Sequence, residues 1–504
     1  MTQLSKSEYM MFLRHPAWLW LKKHDKTKLP PVDDNTQAMF DAGFRFETYA
    51  EQLFPDGVKI GFNDYNSYLT LPVRTKAALA QGHKTLFQGR FEHENITCIF
   101  DVITVVGDKT LDLYEIKSST EAKPEHKLDL AFQLAVVEGA GYNVRKIYVI
   151  HVNNQYVRAG DIDISEFTNV KDVTEDVKEL REQTSRDIKK ALAVANSRTC
   201  PDISPSHIGI GALRDWLEIH KNLIPLEPGN IYELVAPGAE RLGKLESLGI
   251  KKLADIPTGF PLTPGQERQV QAVREGRVLL EPENIKKFLA TFEFPLYFLD
   301  YETMSSVVPY FDGMRPYQQV PFQYSLHILD HPGAELTHKE YLHRTNSNPV
   351  RPLSEALQGD IGTAGTVLAW NASFEKGCNT TMGILEPKFK EFYEHVNNRV
   401  LDLIVPFFSG WYVHKDFGGS ASIKKVLPVL APHLSYSALG IHEGGAAQRL
   451  WMEAVLDGTR PTEKDRILRD LDEYCKLDTL AMVKIYEKLL VVESTAIAGS
   501  GAVQ

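Results

Sequence analysis

The eight residues YFLDYETM, Tyr297–Met304, decide how the second half of this 504-residue chain is read. Tyr297, Phe298 and Leu299 form an apolar run that ends in Asp300, and Glu302 follows two positions later. Side chains at i and i+2 of a strand point to the same face. Asp300 and Glu302 would therefore project together from a strand end. Two carboxylates so placed repel each other unless a cation lies between them, and hard divalent cations take oxygen ligands. The pair suggests a metal site; the plainer alternative is a strand end carrying two solvated acids. A D-x-E pair alone is a weak signal, so the surrounding chain has to decide.

Downstream, Tyr317–Leu329 (YQQVPFQYSLHIL) reads as a strand antiparallel to the first, and Gly365–Trp370 (GTVLAW) as a further short strand. That strand runs into Asn371, Phe374 and Glu375, an N-cap-like start of a helix. Leu401–Phe407 carries Asp402, expected to support the fold. Ser420–Leu430 reads as a helix, and Arg469–Leu490 as a long amphipathic one on which Tyr474 and Asp478 share a face. In this order and on these element types, the motifs resemble those of the DEDD exonucleases, members of the RNase H-like superfamily. Asp300 and Glu302 match D-x-E on the first strand. Asn371, Phe374 and Glu375 match N-x-x-F-D at a helix start, and Tyr474 and Asp478 match Y-x-x-x-D on a late helix. The resemblance implies that Asp300, Glu302, Glu375 and Asp478 hold two divalent ions, roughly 3.5–4 Å apart, that clamp attacking water and leaving oxygen. Tyr474 would orient the water, with Asn371 and Asp402 in support. Glu375 departs from the family's Asp by one methylene, which bears on the second metal.

The first half carries a second constellation. Residues 1–30 read as a helix of mixed basic and aromatic content that Pro16 breaks. Its aromatic and basic side chains either grip single strands or divide between core and solvent. A helix over Thr36–Leu53 holds Gly43 and Glu47. Leu86–Val106 and Leu111–Ser119 read as strands joined by a turn at Gly107–Asp108. Glu115 and Lys117 share one face of the second, with Asp101 at the end of the first. Asp101 and Glu115 can hold a metal that activates water, and Lys117 can position that water or stabilise developing charge. The alternative is a surface Glu–Lys pair of little energetic value. A helix over Leu128–Gly141, carrying Asp129 and Gln133, and a strand over Arg145–Val152 complete an α/β pattern with a mixed sheet.

Residues 36–157 resemble the RecB-like branch of the PD-(D/E)XK nucleases, which includes CRISPR-associated exonucleases. The match rests on Gly43-x-x-x-Glu47, Asp101, Glu115-x-Lys117 and Gln133. It implies DNA cleavage with Mg²⁺ or Mn²⁺, Glu47, Asp101 and Glu115 as metal ligands, and Gln133 in support. Glu47 stands where many relatives have His, and Val137 where Q-x-x-x-Y has Tyr. Many relatives bind an iron–sulfur cluster through four cysteines; here His15–Pro16 replaces the first and only Cys200–Pro201 remains near the later three, so no cluster is expected.

The expected fold is α/β throughout: an N-terminal PD-(D/E)XK-type mixed sheet flanked by helices (1–200), a helical connector (201–290), a C-terminal RNase H-like α/β domain (291–493) and a disordered tail (494–504). Val170–Ala195 reads as a solvated helix. Gly238–Lys244 fits G-x-x-x-x-G-K, but Leu245 offers no hydroxyl and no buried strand precedes it, so a P-loop is rejected. Lys244–Pro257 resembles half of a helix-hairpin-helix, which would grip DNA backbone through loop amides, Lys251 and Lys252; the alternative is a helical linker.

The net charge of −10 places any nucleic-acid contact on a local basic surface. Four scattered cysteines exclude a local zinc site and a secreted disulfide framework. No signal peptide and no membrane-length apolar run are seen, which suggests a cytoplasmic protein with no membrane partner. In chain order the whole resembles a bacterial family of unassigned function that joins these two nuclease types. The reading is a metal-dependent nuclease with two candidate sites, an exonuclease on DNA rather than RNA, with any unwinding left to a separate helicase. The alternative is a nucleic-acid-binding or scaffold protein with one or both sites degenerate.

Overall fold

Ser5 opens the first helix, α1 (Lys6–Arg14), with a capping box: its hydroxyl accepts from the Glu8 amide and its own N–H donates to the Glu8 carboxylate at 2.9 Å. The helix stops at extended His15, and Pro16 takes the first position of the next helix, Pro16–His24, where its missing N–H costs nothing. Pro16 thus breaks the N-terminal helix, as its sequence suggests, into two short ones. Helix α2 (Asp34–Ala50), capped by Asp33, follows. The computed structural model describes residues 3–211 and 213–500. It is mixed α/β and divides into two units. Unit 1 comprises Met1–Leu226, Gly238–Glu246 and Val307–Tyr317; unit 2 comprises Glu227–Pro237, Ser247–Ser306 and Gln318–Gln504. The stretch 201–290, read as a connector, contributes to both.

Unit 1 holds a six-stranded sheet: β1 (Val58–Lys59), β2 (Thr85–Phe87), β3 (Val102–Gly107), β4 (Thr110–Lys117), β5 (Asn143–Val152) and β6 (Thr168–Asp172), in that spatial order. Strands β4 and β5 are parallel, so they need a crossover, and α3 (Pro124–Gly139) supplies it. Leu113, Leu130, Leu134, Ile147 and Val149 join one core. Phe46, Ala50, Val102, Ile116 and Ile150 join another. Residues alternate along β4 and β5 between the two cores, so the sheet is covered on both faces.

The run Leu86–Val106 is not one strand. It breaks into Thr85–Phe87, Arg90–His93, Ile96–Ile99 and β3. Gln88 turns the chain at φ 51 and Glu94 at φ 49. A Cβ on Gly89 would lie 2.3 Å from the Phe100 ring, so only glycine allows that approach. Asp101 therefore lies just before β3 rather than at a strand end. Residues 168–172 form β6, so the expected helix over Val170–Ala195 begins as a strand and continues as Thr174–Glu179 and Arg181–Asn196.

Unit 2 is built on β7 (Leu296–Met304). Around it lie β8 (Val320–Leu329), β9 (Thr337–Leu342), β10 (Thr366–Ala369) and β11 (Val400–Asp402), in the order β9-β8-β7-β10-β11. Strand β8 is antiparallel to β7 and β9; β10 and β11 run parallel to β7. Strand β7 does not stop at Asp300. It pairs with β8 through Asp300↔Ser325 and Glu302↔Gln323 and shifts register only between Glu302 and Thr303, so both acids sit inside a paired strand. Helices α4 (Ala372–Leu385), α5 (Ile423–Leu430) and α6 (Lys464–Ser500) complete the parts that matter here. Met482, Ile485, Tyr486 and Leu489 of α6 pack with Leu296, Phe298 and Leu368 in one core. Residues 494–500, expected in a disordered tail, continue α6; residues 501–504 lie outside the described residues.

The segment resembling half of a helix-hairpin-helix has one helix, Ala239–Ser247, a left-handed Gly249, and then only a three-residue 3₁₀ turn, Leu253–Asp255. Among the described residues no helix is long and apolar enough to cross a membrane.

Phe298 is fully buried at the centre of the unit 2 core, whereas Phe408 is 82% exposed. Phe298→Ala is expected to cost about 3–5 kcal/mol in chemical denaturation, and Phe408→Ala to stay within about 0.5 kcal/mol. Equal losses would contradict this placement of the core.

Candidate metal centre

Three elements of unit 2 bring four carboxylates to one cavity of about 380 Å³. Strand β7 supplies Asp300 and Glu302 from one face. Helix α4 supplies Glu375 from its first turn. Helix α6 supplies Asp478, one turn beyond Tyr474. Asn371 and Trp370 lie on the wall, and so does Lys424 of α5.

The delivery of Glu375 differs from the sequence expectation. Asn371 begins α4 in the left-handed conformation, φ 74 and ψ 57, and its side chain does not cap the helix. Its Oδ1 accepts instead from the Ser373 hydroxyl at 2.9 Å. Asp402, on the neighbouring strand β11, accepts from the amides of Asn371 at 3.0 Å, Ala372 at 2.9 Å and Ile404 at 3.1 Å. A carboxylate placed there satisfies otherwise orphaned N–H groups and favours the helix dipole. Asp402 thus anchors the start of the helix that carries Glu375.

The electrostatics are those of like charges kept from water. Burial, then Asp478, Glu302 and Glu375, push Asp300 well above the usual carboxylate range. Burial and Asp478 do the same to Glu302. Burial lifts Asp478 to about 6, against the lowering effect of Tyr436, whose hydroxyl donates to its Oδ1 at 2.5 Å, and of Lys424. Burial lifts Glu375 to about 8, with Asp402 adding to the rise. Glu375 is 2% exposed and its Oε2 has no hydrogen-bond partner. An orphaned buried oxygen costs about 1–3 kcal/mol. A divalent ion would answer both the repulsion and the orphan, and a carboxylate donor set fits Mg²⁺ or Mn²⁺.

Three residues escaped the sequence reading. Lys424 Nζ lies 5.2 Å from the Tyr474 ring centre and 5.5 Å from that of Tyr436, and donates to the His442 carbonyl at 2.5 Å. Tyr436 comes from a segment with no local motif. Cys475 sits inside the quoted Y-x-x-x-D motif, and its sulfur is 3.7 Å from Asp300 Oδ2. Its position next to Tyr474 was the available signal.

In unit 1, Glu115 is fully buried and meets two lysines. Lys117 Nζ is 2.5 Å from its Oε1 and Lys6 Nζ 2.8 Å, while Gln133 Nε2 donates to its Oε2 at 2.6 Å. Lys117 also reaches Asp129 at 3.2 Å, and Lys6 at 3.8 Å. Burial would raise Glu115, but Lys117 and Lys6 outweigh it and hold the carboxyl well below its usual value. Burial likewise opposes the charge of Lys117, which Glu115 and Asp129 nevertheless raise. Asp101 accepts from the Ile116 amide at 2.7 Å, and burial with Glu115 lifts it to about 7. Glu47 accepts from Gln88 at 2.5 Å and is raised by burial. Sequence pointed to Lys117, Glu115 and Gln133 as partners, and the structure brings them together. Lys6, from α1, carried no motif. Among the described residues, the three-residue group whose possible ligand atoms all lie within 4.8 Å of one another is Asp300, Glu302 and Cys475; Glu47, Asp101 and Glu115 do not form such a group. Lys251 and Lys252 do not line the cavity; Lys252 pairs with Glu227 at 2.8 Å.

Residues 297–422 match a family described as a domain of unknown function, DUF2779. The match takes in Asp300, Glu302, Asn371, Glu375 and Asp402 and ends before Lys424, Tyr474 and Asp478. The uncharacterized protein MG366 of Mycoplasma genitalium is 26% identical over 37% of this chain and 31% of its own length. Its Mycoplasma pneumoniae homolog is 26% identical over the same shares. The chain thus spans under a third of these relatives.

The raised carboxyls give a stability signature. A carboxyl whose folded pKa exceeds its unfolded value binds its proton more tightly when folded. Its contribution is complete below the unfolded pKa and is lost as pH rises through the folded one. With Asp478 at about 6 and Glu375 at about 8, the metal-free protein should lose stability between about pH 4 and 8. Glu375→Gln should flatten the upper part of that slope in thermal melts. An unchanged slope would contradict the burial of an ionisable Glu375.

Proposed function

We propose that the protein is a divalent-metal-dependent nuclease that hydrolyses phosphodiester bonds, with the unit 2 cavity as its working site. The supporting observation is the convergence of Asp300, Glu302, Glu375 and Asp478 on one cavity that leaves Glu375 Oε2 without a partner. Bound there, divalent ions supply Lewis-acid stabilisation of the phosphate and an activated water. The protein's own groups do the rest. The Tyr474 hydroxyl, beside Asp478, orients the attacking water. Lys424, at the cavity wall, offers a cation to a backbone phosphate. Asp402 fixes α4 so that Glu375 faces inward. A cavity of about 380 Å³ is of the size that encloses a small ligand, which suits the terminal nucleotide of an exonuclease substrate. DNA is the favoured polymer, and unwinding is left to a separate helicase.

A second reading applies to unit 1. Lys6 and Lys117 already neutralise Glu115 and Asp129. That favours a unit that binds nucleic acid, or serves as scaffold, without cutting it.

The test is a cleavage panel of single- and double-stranded DNA and RNA with Mg²⁺ or Mn²⁺. Asp300→Asn should lower cleavage by about 10²-fold or more, and Lys117→Ala should leave it unchanged. Equal cleavage by wild type and Asp300→Asn would overturn the assignment to unit 2. Loss confined to Lys117→Ala would move the working site to unit 1.

A further inference from the structure

Cys475 is fully buried, and its sulfur lies 3.7 Å from Asp300 Oδ2 and 4.0 Å from the Asp300 carbonyl. The sulfur and one carboxylate oxygen each of Asp300 and Glu302 all lie within 4.8 Å of one another. Metal–oxygen bonds of about 2.1 Å and metal–sulfur bonds of about 2.3 Å separate two ligands of one ion by at most about 4.4 Å. The three atoms are therefore close enough to share an ion after sub-ångström adjustment. Cys475 and Asp478 are three residues apart on α6 and so lie on neighbouring positions of one helix face. Cys475 is not among the side chains lining the open cavity. Glu375, 2% exposed and part of the same cavity's lining, has an Oε2 with no hydrogen-bond partner, which independently suits the cavity to a cation.

We propose that the Cys475 sulfur is a ligand of a metal ion in this centre, alongside Asp300 and Glu302, so that the centre selects a borderline first-row ion such as Co²⁺ or Zn²⁺ over Mg²⁺. This rests on the reading of the cavity as a metal centre and adds the identity of one ligand and the class of ion. Thiolate is a soft donor that hard Mg²⁺ does not favour. Binding in this form releases the thiol proton to solvent, since sulfur ligates as thiolate. Affinity should rise with pH and follow the order Mn²⁺ below Co²⁺. The cost of the arrangement without metal is small, because a protonated buried cysteine behaves as a small apolar side chain.

The test uses the full chain and Co²⁺ as an optical probe, with calorimetric titrations of Co²⁺, Mn²⁺ and Mg²⁺ in parallel. Wild type should develop a near-ultraviolet sulfur-to-cobalt charge-transfer band that saturates at one equivalent. Cys475→Ser and Cys475→Ala should both lack it and bind Co²⁺ about 10-fold or more weakly, with Mg²⁺ affinity changed by no more than about twofold. Asp300→Asn should also lack the band. Divalent-ion binding by wild type without the band, or a band that persists in both Cys475 variants, would overturn the sulfur ligand and leave the metal centre standing. Failure of wild type to bind any of the three ions would overturn the metal centre together with its ligand. Should the variants not fold, as judged by circular dichroism, a wild-type band lost on Asp300→Asn supports the proposal and its absence from wild type defeats it.

Discussion

Like charges buried together repel, and in unit 2 the fold itself forces them together. Asp300 and Glu302 lie within a strand paired with β8 at both positions, so the ladder fixes the backbone from which they project. Glu375 is fixed by a helix start that Asp402 anchors. Asp478 is set on α6, which Met482, Ile485, Tyr486 and Leu489 anchor in the unit 2 core. Among the described lining residues Lys424 is the one cation. The cavity is therefore acidic, rigidly framed and short of positive charge. The carboxyls of all four acids are pushed up by burial, which is what burial short of a counter-ion dictates. A cation of high charge density is the simplest group that would reverse this.

Unit 1 meets a similar concentration of acids in another way. There Glu115 and Asp129 are answered by two ammonium groups, Lys117 from the same strand as Glu115 and Lys6 from α1. Breaking such a buried pair by removing one partner leaves an uncompensated charge, whereas the complete pair is close to neutral in stability. Asp101, which accepts from one backbone amide, is lifted to about 7 by burial and Glu115 against the opposing charges of Lys6 and Lys117. The two units thus differ in what they lack. The unit 2 cavity sets one cation, Lys424, against four acids, whereas the unit 1 cluster has Lys6 and Lys117 in direct ion pairs with Glu115 and Asp129.

The parts of this arrangement that were legible in the sequence are those set by local periodicity. The alternation in YFLDYETM put Asp300 and Glu302 on one face, and the four-residue spacing put Tyr474 and Asp478 on one helical face. The α/β class followed from the alternation of strand and helix patterns. What was not legible depends on contacts distant in sequence. The cap of α4 comes from Asp402, some thirty residues beyond Asn371, because Asn371 adopts a left-handed backbone that turns its side chain to Ser373. Lys6 and Glu115 meet across 109 positions, and no local pattern encodes that. The division of Leu86–Val106 into four strands turned on Gln88, Gly89 and Glu94, whose backbone conformations come from packing against Phe100 and from a tight turn. The strand end expected at Asp300 was misplaced because an acid usually marks solvent. Here it marks a cavity inside the sheet's own unit.

The central claim is that this cavity is built for divalent ions, and diffraction tests it most directly. An anomalous difference map from crystals grown with Mn²⁺ should show at least one ion bounded by Asp300, Glu302 and Asp478, with Glu375 Oε2 turned toward the cavity it lines. A map with Mn²⁺ saturating the crystal and no anomalous density among these four acids would contradict it.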